Sequence, residues 1–145
     1  MVKLEIPNAC YPAPGLCAGG QPPAEQLRLA QAQGVQTVIN LRPASEAIDF
    51  DEPALASELG LSYVHLPISG APDITVDNAR KLAAALQQAG DAPVLVHCAS
   101  GNRVGALFAL KAHAVDGLEA TAALAFGKTA GLTGLEPVVR AQLGL

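Results

Sequence analysis

The segment Val94-Leu95-Val96-His97-Cys98-Ala99-Ser100-Gly101-Asn102-Arg103-Val104-Gly105 places a cysteine between an apolar run and a small-residue loop, and an arginine where helix-forming sequence begins. The run predicts a buried strand, the loop a turn around an anion, and Arg103 the first turn of a helix. A cysteine attacks only as its thiolate, and a helix N-terminus together with a fixed arginine stabilises that charge. Unpaired N–H groups at such a helix start also face any oxyanion held in the loop. The alternative is a structural cysteine at the end of a buried strand. That alternative leaves Arg103, Gly101 and the helix start as coincidences.

The elements that must position this loop follow from punctuation and periodicity. Leu16-Cys17-Ala18 predicts a short strand after the Pro/Gly-rich stretch 12–15, and Gly19-Gly20-Gln21-Pro22-Pro23 a turn that opens a helix over 24–33, stopped by Gly34. Residues 37–41 predict a buried strand closed by Arg42-Pro43, residues 52–58 a helix ended by Gly60, and residues 62–66 the next strand. A loop rich in turn formers over 67–73 precedes Thr75, a good N-cap for a helix whose inner face is Val76, Ala79, Leu82, Ala83 and Leu86. Gly90-Asp91-Ala92-Pro93 breaks it before the Val94 strand, and helices are predicted over 103–115, 118–129 and 135–143. Alternating strands and helices imply an α/β fold. Its expected form is a single-domain parallel sheet of about four to five strands flanked by helices, with a helical C-terminus. In such sheets ligands sit at the carboxyl ends of strands, where Cys98 falls.

Composition narrows the function classes. The 145 residues suit one domain over 1–145, and much of the 50% hydrophobic content is alanine, with no Trp, which favours a finely packed, helix-rich core. Net charge is −4 with nine Lys and Arg, and basic residues nowhere cluster with aromatics, which argues against nucleic acid as a partner. No apolar run approaches the roughly 18 residues of a membrane span, so no membrane partner is expected and the chain reads as cytoplasmic, or periplasmic if a signal was removed. Cys10 and Cys17 are expected as free thiols, with a short-loop disulfide as the oxidising-compartment alternative. His65 and His113 have no Cys, Asp or Glu at ligand spacing, so no metal is expected. The 128–134 turn lacks the glycine-lysine-hydroxyl order of a nucleotide phosphate loop.

His97-Cys98-Ala99-Ser100-Gly101-Asn102-Arg103 resembles the phosphate-binding loop of protein tyrosine and dual-specificity phosphatases. Gly19-Gly20-Gln21-Pro22, Val38-Ile39-Asn40-Leu41-Arg42-Pro43 and Tyr63-Val64-His65-Leu66-Pro67-Ile68-Ser69 occur in the same order in a bacterial phosphatase-like family, a domain also found fused to β-lactamase-fold hydrolases. The resemblance covers roughly residues 15–110. It implies a dual-specificity phosphatase-like fold, Cys98 as nucleophile and Arg103 as oxyanion clamp, the planar guanidinium making two parallel bonds to one phosphate. It further implies that the amides of Ala99, Ser100, Gly101 and Asn102 form the cradle, with Gly101 supplying the sharp turn, and that His97 supports the loop and the thiolate. This chemistry needs no cofactor. Two departures stand out. Only four residues separate Cys98 from Arg103 where phosphatases have five, and Val104 stands where a Ser or Thr usually follows the arginine. The four-residue spacing is similar to that of rhodanese-type sulfurtransferases, whereas helices with no further strand after the loop are similar to phosphatases.

The resemblance also assigns a general acid to the loop before Thr75, which points to Asp73, the alternative being a solvated turn residue after Pro72. Asp77 competes, but a carboxylate inside a helix N-terminus is stabilised there without any function. Arg42 is placed either to recognise an anionic substrate or to pair with Glu46 on the surface. Ser100 either bonds the nucleophile or fills a tight loop. The leading expectation is a phosphatase acting on a phosphorylated protein or a small anionic substrate through a Cys98 phosphoenzyme. A sulfurtransferase or persulfide-handling enzyme and a non-catalytic anion- or phosphoprotein-binding module are the alternatives.

Overall fold

A computed structural model describes residues 2–145. The first paired element is a hairpin, in which β1 (Cys10–Ala13) and β2 (Leu16–Gly19) run antiparallel through the Pro14-Gly15 turn. There follow α1 (Ala24–Ala32), β3 (Thr37–Asn40), α2 (Glu52–Glu58), β4 (Ser62–His65) and a 3-10 turn at Ala71–Asp73. The chain ends with α3 (Val76–Ala89), β5 (Val94–His97), α4 (Asn102–Ala114), α5 (Ala120–Thr129) and α6 (Glu136–Leu143). Asp51 caps α2 by accepting from the Ala54 amide at 3.1 Å, and Thr75 caps α3 by accepting from the Asn78 amide at 3.1 Å.

The strands form one sheet in the order β1-β2-β5-β3-β4, parallel except for β1. Sequence reading anticipates the four parallel strands and misses β1, whose Pro12, with Pro14 and Gly15 just after it, reads as a turn-forming stretch. Pro is tolerated there because β1 is an edge strand. Register sets the two faces. Cys17, Leu95 and Val38 lie abreast and enter one cluster with Leu27, Ala30, Leu55 and Ala56, so α1 and α2 cover that side. Ala18, Val96 and Ile39 lie abreast on the other side with Leu82, Leu107, Leu110 and Val139, under α3, α4 and α6. The chain moves across the sheet in one direction through α1 and α2 and returns through α3, and right-handed crossovers therefore put α3 on the opposite face.

β5 is the middle strand, and all four of its residues are buried. The helix it feeds is buried almost all round, with Val104 through Leu110 enclosed along α4 and Phe108 meeting Phe126 edge-on at 6.1 Å. Val104, the departure from the phosphatase hydroxyl, is fully enclosed in this core. Cys10 packs against the α3/α4 cluster whereas Cys17 sits in the α1/α2 cluster. Both thiols are free, and burial with Cys10 nearby pushes Cys17 up to about 11. Truncating Phe108 to Ala should cost about 3–5 kcal/mol of stability, and Leu29→Ala on the exposed side of α1 less than about 0.5. Urea midpoints at unchanged m-value check both; equal losses would contradict the assignment of α4 as the central helix.

Candidate active site

At the carboxyl end of β5 the ladder continues one residue past the strand, where the Cys98 amide donates to Gly19 O at 3.2 Å. The loop then turns on Gly101, which precedes α4 with φ 95° and ψ −16°, a left-handed conformation that favours glycine. Its carbonyls face away from the turn. The Ala99 oxygen accepts from the Gln21 amide at 3.1 Å, the Ser100 oxygen from Asn8 Nδ2 at 2.8 Å, and the Gly101 oxygen from the Gly105 amide at 3.0 Å. Gly20 permits this docking, because a Cβ there would lie 2.5 Å from the Ala99 oxygen. Among the described residues the amides of Ala99, Ser100, Asn102 and Arg103 have no protein acceptor, whereas the Gly101 amide points at Cys98 Sγ at 3.1 Å. Cys98 is fully buried at the base of this turn. Asn102 faces the other way and accepts from the Thr133 and Leu135 amides at 2.9 and 3.2 Å, which ties the helix start to the α5–α6 connection.

Arg103 projects from the first turn of α4 onto Glu46. Nη1 reaches Glu46 Oε2 at 2.7 Å, Nη2 reaches Oε1 at 2.9 Å, and Nη1 also donates to Ile68 O at 2.8 Å. A guanidinium has five N–H bonds in a rigid plane. Three are used, and the remaining Nε–H and second Nη2–H are the parallel pair on one side, the fork that fits two oxygens of a phosphate. The Cys98 sulfur lies within hydrogen-bonding reach of this guanidinium, and Glu46, followed by Cys98, keeps Arg103 firmly protonated. Reciprocally, the Arg103 hydrogen bonds hold the Glu46 carboxyl below the usual carboxylate range.

Of the two roles weighed for Arg42, the structure shows the pairing. Its Nε donates to Glu46 Oε1 at 3.2 Å, its Nη2 to the Glu46 carbonyl at 3.2 Å, and its Nη1 to Gln21 Oε1 at 3.1 Å. Glu46 thus bridges two guanidiniums. Asp73 closes the 3-10 turn, its Oδ2 accepting from the Ser69 amide at 2.8 Å, on the same loop whose Ile68 carbonyl holds Arg103. Asp77 is exposed in the first turn of α3.

Beneath the loop lies a polar cluster that sequence reading does not assemble. His97 is wholly enclosed, with Nε2 2.6 Å from Glu52 Oε2 and Nδ1 3.3 Å from the Cys98 carbonyl. Glu52, only 2% exposed, also takes Gln21 Nε2 at 2.6 Å, and the Tyr63 hydroxyl is within hydrogen-bonding reach. Burial by itself would raise Glu52, but the donors from His97, Gln21 and Tyr63 outweigh it and hold the carboxyl below its ordinary value. Burial and the facing carboxylate push Tyr63 up to about 12. The sequence signal for Glu52 is weak, since a carboxylate in a helix first turn needs no partner. A pocket of about 350 Å³ opens beside this cluster, between Arg42, Glu46, Tyr63 and His65, and neither Cys98 nor Arg103 lines it. Among the described residues no three His, Cys, Asp or Glu converge to hold a metal ion.

Because Glu52 and Glu46 are depressed in the folded chain, the stability they contribute is complete above the ordinary carboxylate value of 4.5 and is lost as pH falls through the lower folded values. Urea midpoints should therefore drop below pH 4.5. In Glu52→Gln the drop should be shallower, and an identical pH profile would contradict an ionised Glu52.

Residues 13–115 match the family described as the phosphatase-like domain of β-lactamase hydrolase-like protein. A β-lactamase hydrolase-like protein of Agrobacterium fabrum is 33% identical over 121 residues, 80% of this chain and 27% of that protein. The protein of that description from Xylella fastidiosa (strain Temecula1) is 33% identical over 106 residues, 70% of this chain and 24% of its own. The chain thus spans about a quarter of the length of these curated relatives. Among solved structures, a DUF442 protein of Shewanella putrefaciens superposes with a TM-score of 0.73 at 26% identity, covering 95% of this chain and 87% of that one. P. aeruginosa TpbA in complex with pTyr superposes at 0.72 with 24% identity, covering 94% and 82%. PTPMT1 superposes at 0.68 with 17% identity, covering 94% of both chains. The last two show a shared fold, the dual-specificity phosphatase type expected from the loop and the order of elements. This chain belongs to the family of phosphatase-like domains of β-lactamase hydrolase-like proteins.

Proposed function

We propose that the chain is a cysteine-dependent phosphatase of the tyrosine or dual-specificity type, hydrolysing phosphomonoesters through a phosphoenzyme on Cys98. The observation that carries this reading is the arrangement around Sγ. The Gly101 amide points at the sulfur, the neighbouring amides have no protein acceptor, and Glu46 and Ile68 hold Arg103 so that its Nε–H and second Nη2–H are committed to no protein oxygen. In the first step Sγ attacks phosphorus in line and the P–O ester bond breaks. The leaving oxygen takes a proton from Asp73, whose loop is joined to Arg103 through Ile68. In the second step Asp73 takes a proton from water, whose oxygen attacks phosphorus, and the S–P bond breaks to release phosphate and restore the thiolate. The amides of Ala99, Ser100 and Asn102 and the Arg103 fork oppose the charge of the equatorial oxygens in both transition states.

Cys98 has no exposed surface. The substrate is a phosphomonoester on a protein or a small molecule that presents its phosphate at the loop. The four-residue loop offers one amide fewer than the usual phosphatase cradle, which places more of the anion's charge on Arg103. Three helices and no strand after the loop favour phosphoryl over sulfur transfer.

An aryl phosphate assay beside a thiosulfate–cyanide assay tests the reading. Phosphate release should be abolished by Cys98→Ser and fall about 10²–10³-fold in Arg103→Lys, where the fork is lost. Thiocyanate formation without phosphate release would move the assignment to sulfur transfer. Activity in neither assay, with phosphate binding preserved in Cys98→Ser, would make the loop a binding module. Asp73→Asn should lower kcat about 10²–10⁴-fold with a poor alkyl leaving group and much less with an activated aryl one. Equal losses on both would remove Asp73 as the acid.

A further inference from the structure

A loop amide and the carbonyl of the residue before it belong to one planar trans peptide and point in opposite directions, so whatever holds the carbonyl outward aims the N–H inward. For the peptide joining Ser100 to Gly101 both ends have a partner. Its carbonyl accepts from Asn8 Nδ2 at 2.8 Å, and its N–H points at Cys98 Sγ at 3.1 Å. A half-turn of this unit would set a carbonyl oxygen where the sulfur now meets a donor. Ala99 and Ser100 are exposed while Gly101 is buried, so this peptide is the one at which the loop passes from surface to interior.

Asn8 reaches the loop from 92 residues away, ahead of β1. It is the third residue of a turn over 6–9, closed by the Ala9 amide donating to Ile6 O at 3.3 Å, and Pro7 is the second. Its φ is 53°, and it is the one non-glycine with a positive φ among the described residues. Proline second and a positive φ third is the type II pattern, which glycine fills at no steric cost and asparagine tolerates. The turn is fastened beside the loop. Pro7 O accepts from the Gly20 amide at 2.7 Å, and Gly20 itself forms an antiparallel bridge with Ser100. A turn alone would be served by glycine, whereas asparagine brings an amide group, and that group is placed on the loop. The partner is a carbonyl, which only accepts, so the NH2 and not the oxygen of Asn8 must face it.

We propose that Asn8 is a positioning residue of the Cys98 loop: carried in a left-handed conformation by the Pro7 turn, its Nδ2 holds the Ser100 carbonyl outward and thereby keeps the Gly101 N–H on the sulfur. Asn8 is exposed, so water competes for both partners and the bond by itself is modest. Its leverage comes from the alternative it disfavours, a carbonyl oxygen turned toward the sulfur and toward any anion the loop holds. The segment ahead of β1 is therefore part of the site. It supports the loop from one side, as the Thr133 and Leu135 amides on Asn102 support the helix start from the other. The role in turnover rests on Cys98 as nucleophile, whereas the orientation of the peptide can be measured without any activity.

Two variants of the full chain separate the side chain from the turn. Asn8→Gly keeps a residue suited to the positive φ and removes the donor, and Asn8→Asp tolerates that φ but sets an acceptor against the carbonyl. Amide hydrogen exchange followed by NMR reads the Gly101 N–H. Its exchange should quicken about two- to tenfold in Asn8→Gly, the change expected from one neutral hydrogen bond, and further in Asn8→Asp. The amides of Leu95 and Val96 within β5 should be unmoved in Asn8→Gly, as should the urea midpoint. Aryl phosphate turnover should follow the same order, kcat/KM falling in Asn8→Gly and further in Asn8→Asp. Gly101 exchange unchanged in Asn8→Gly would make Asn8 a turn residue only and overturn the proposal. Equal quickening at Gly101 and in β5 would do the same, since it reports lost stability and not a released peptide. Quickened Gly101 exchange with kcat/KM unmoved would remove Asn8 from the reaction. If no Cys98-dependent turnover exists, the phosphatase reading fails while Gly101 exchange still decides what Asn8 holds.

Discussion

The Glu46 carboxylate stands between two arginines, and the geometry of the site depends on that bridge. A free arginine in a loop samples many rotamers, and its ordering is an entropic cost that an incoming anion would have to meet. Here the cost is met before any ligand arrives: three of the five Arg103 N–H bonds are committed to Glu46 and Ile68, and the two that remain are coplanar by the chemistry of the guanidinium. The same carboxylate takes Arg42, which in turn sets Gln21. One acidic residue in the segment after β3 therefore couples the clamp to the support behind the loop. Preorganisation of this kind places donors where charge develops and avoids reorganising them at the moment of reaction.

The fold supplies the rest of the constraint through β5. As the middle strand, with sheet neighbours on both sides and helices on both faces, it delivers His97 and Cys98 to the same edge where β2 and β3 end. Gly20 makes room for the loop there, and Gln21, Asn8 and Gly105 take its carbonyls, which leaves the amides without protein acceptors. The buried α4 carries Arg103 on its first turn, so the clamp is mounted on the best-packed helix of the molecule. Site geometry and core packing are consequently parts of one arrangement.

Much of this was legible from local pattern. The alternation of apolar runs with Gly-punctuated helical segments located four of the five strands, and the Cys98–Arg103 spacing located the loop. The strand that escaped, β1, is proline-bearing and gains its identity only by pairing with β2 at the sheet edge, a tertiary fact that propensity cannot carry. The polar support escaped for a related reason. Glu52 and His97 are 45 residues apart and Glu46 and Arg103 are 57 apart, so no local window contains either pair. Read singly, Glu52 is a helix-start acid and Arg42 an anion-binding candidate. Only the fold shows that the first is buried against an imidazole and the second is paired with Glu46 and Gln21.

The central claim is that Cys98 forms the covalent intermediate, and it is tested most directly by acid-quenching the chain during turnover of an aryl phosphate and mapping phosphate to peptides by mass spectrometry. The account predicts one phosphoryl group on the peptide containing Cys98, absent when the chain is quenched without substrate. Sustained turnover with no phosphate on that peptide, or with phosphate on another residue, would contradict it.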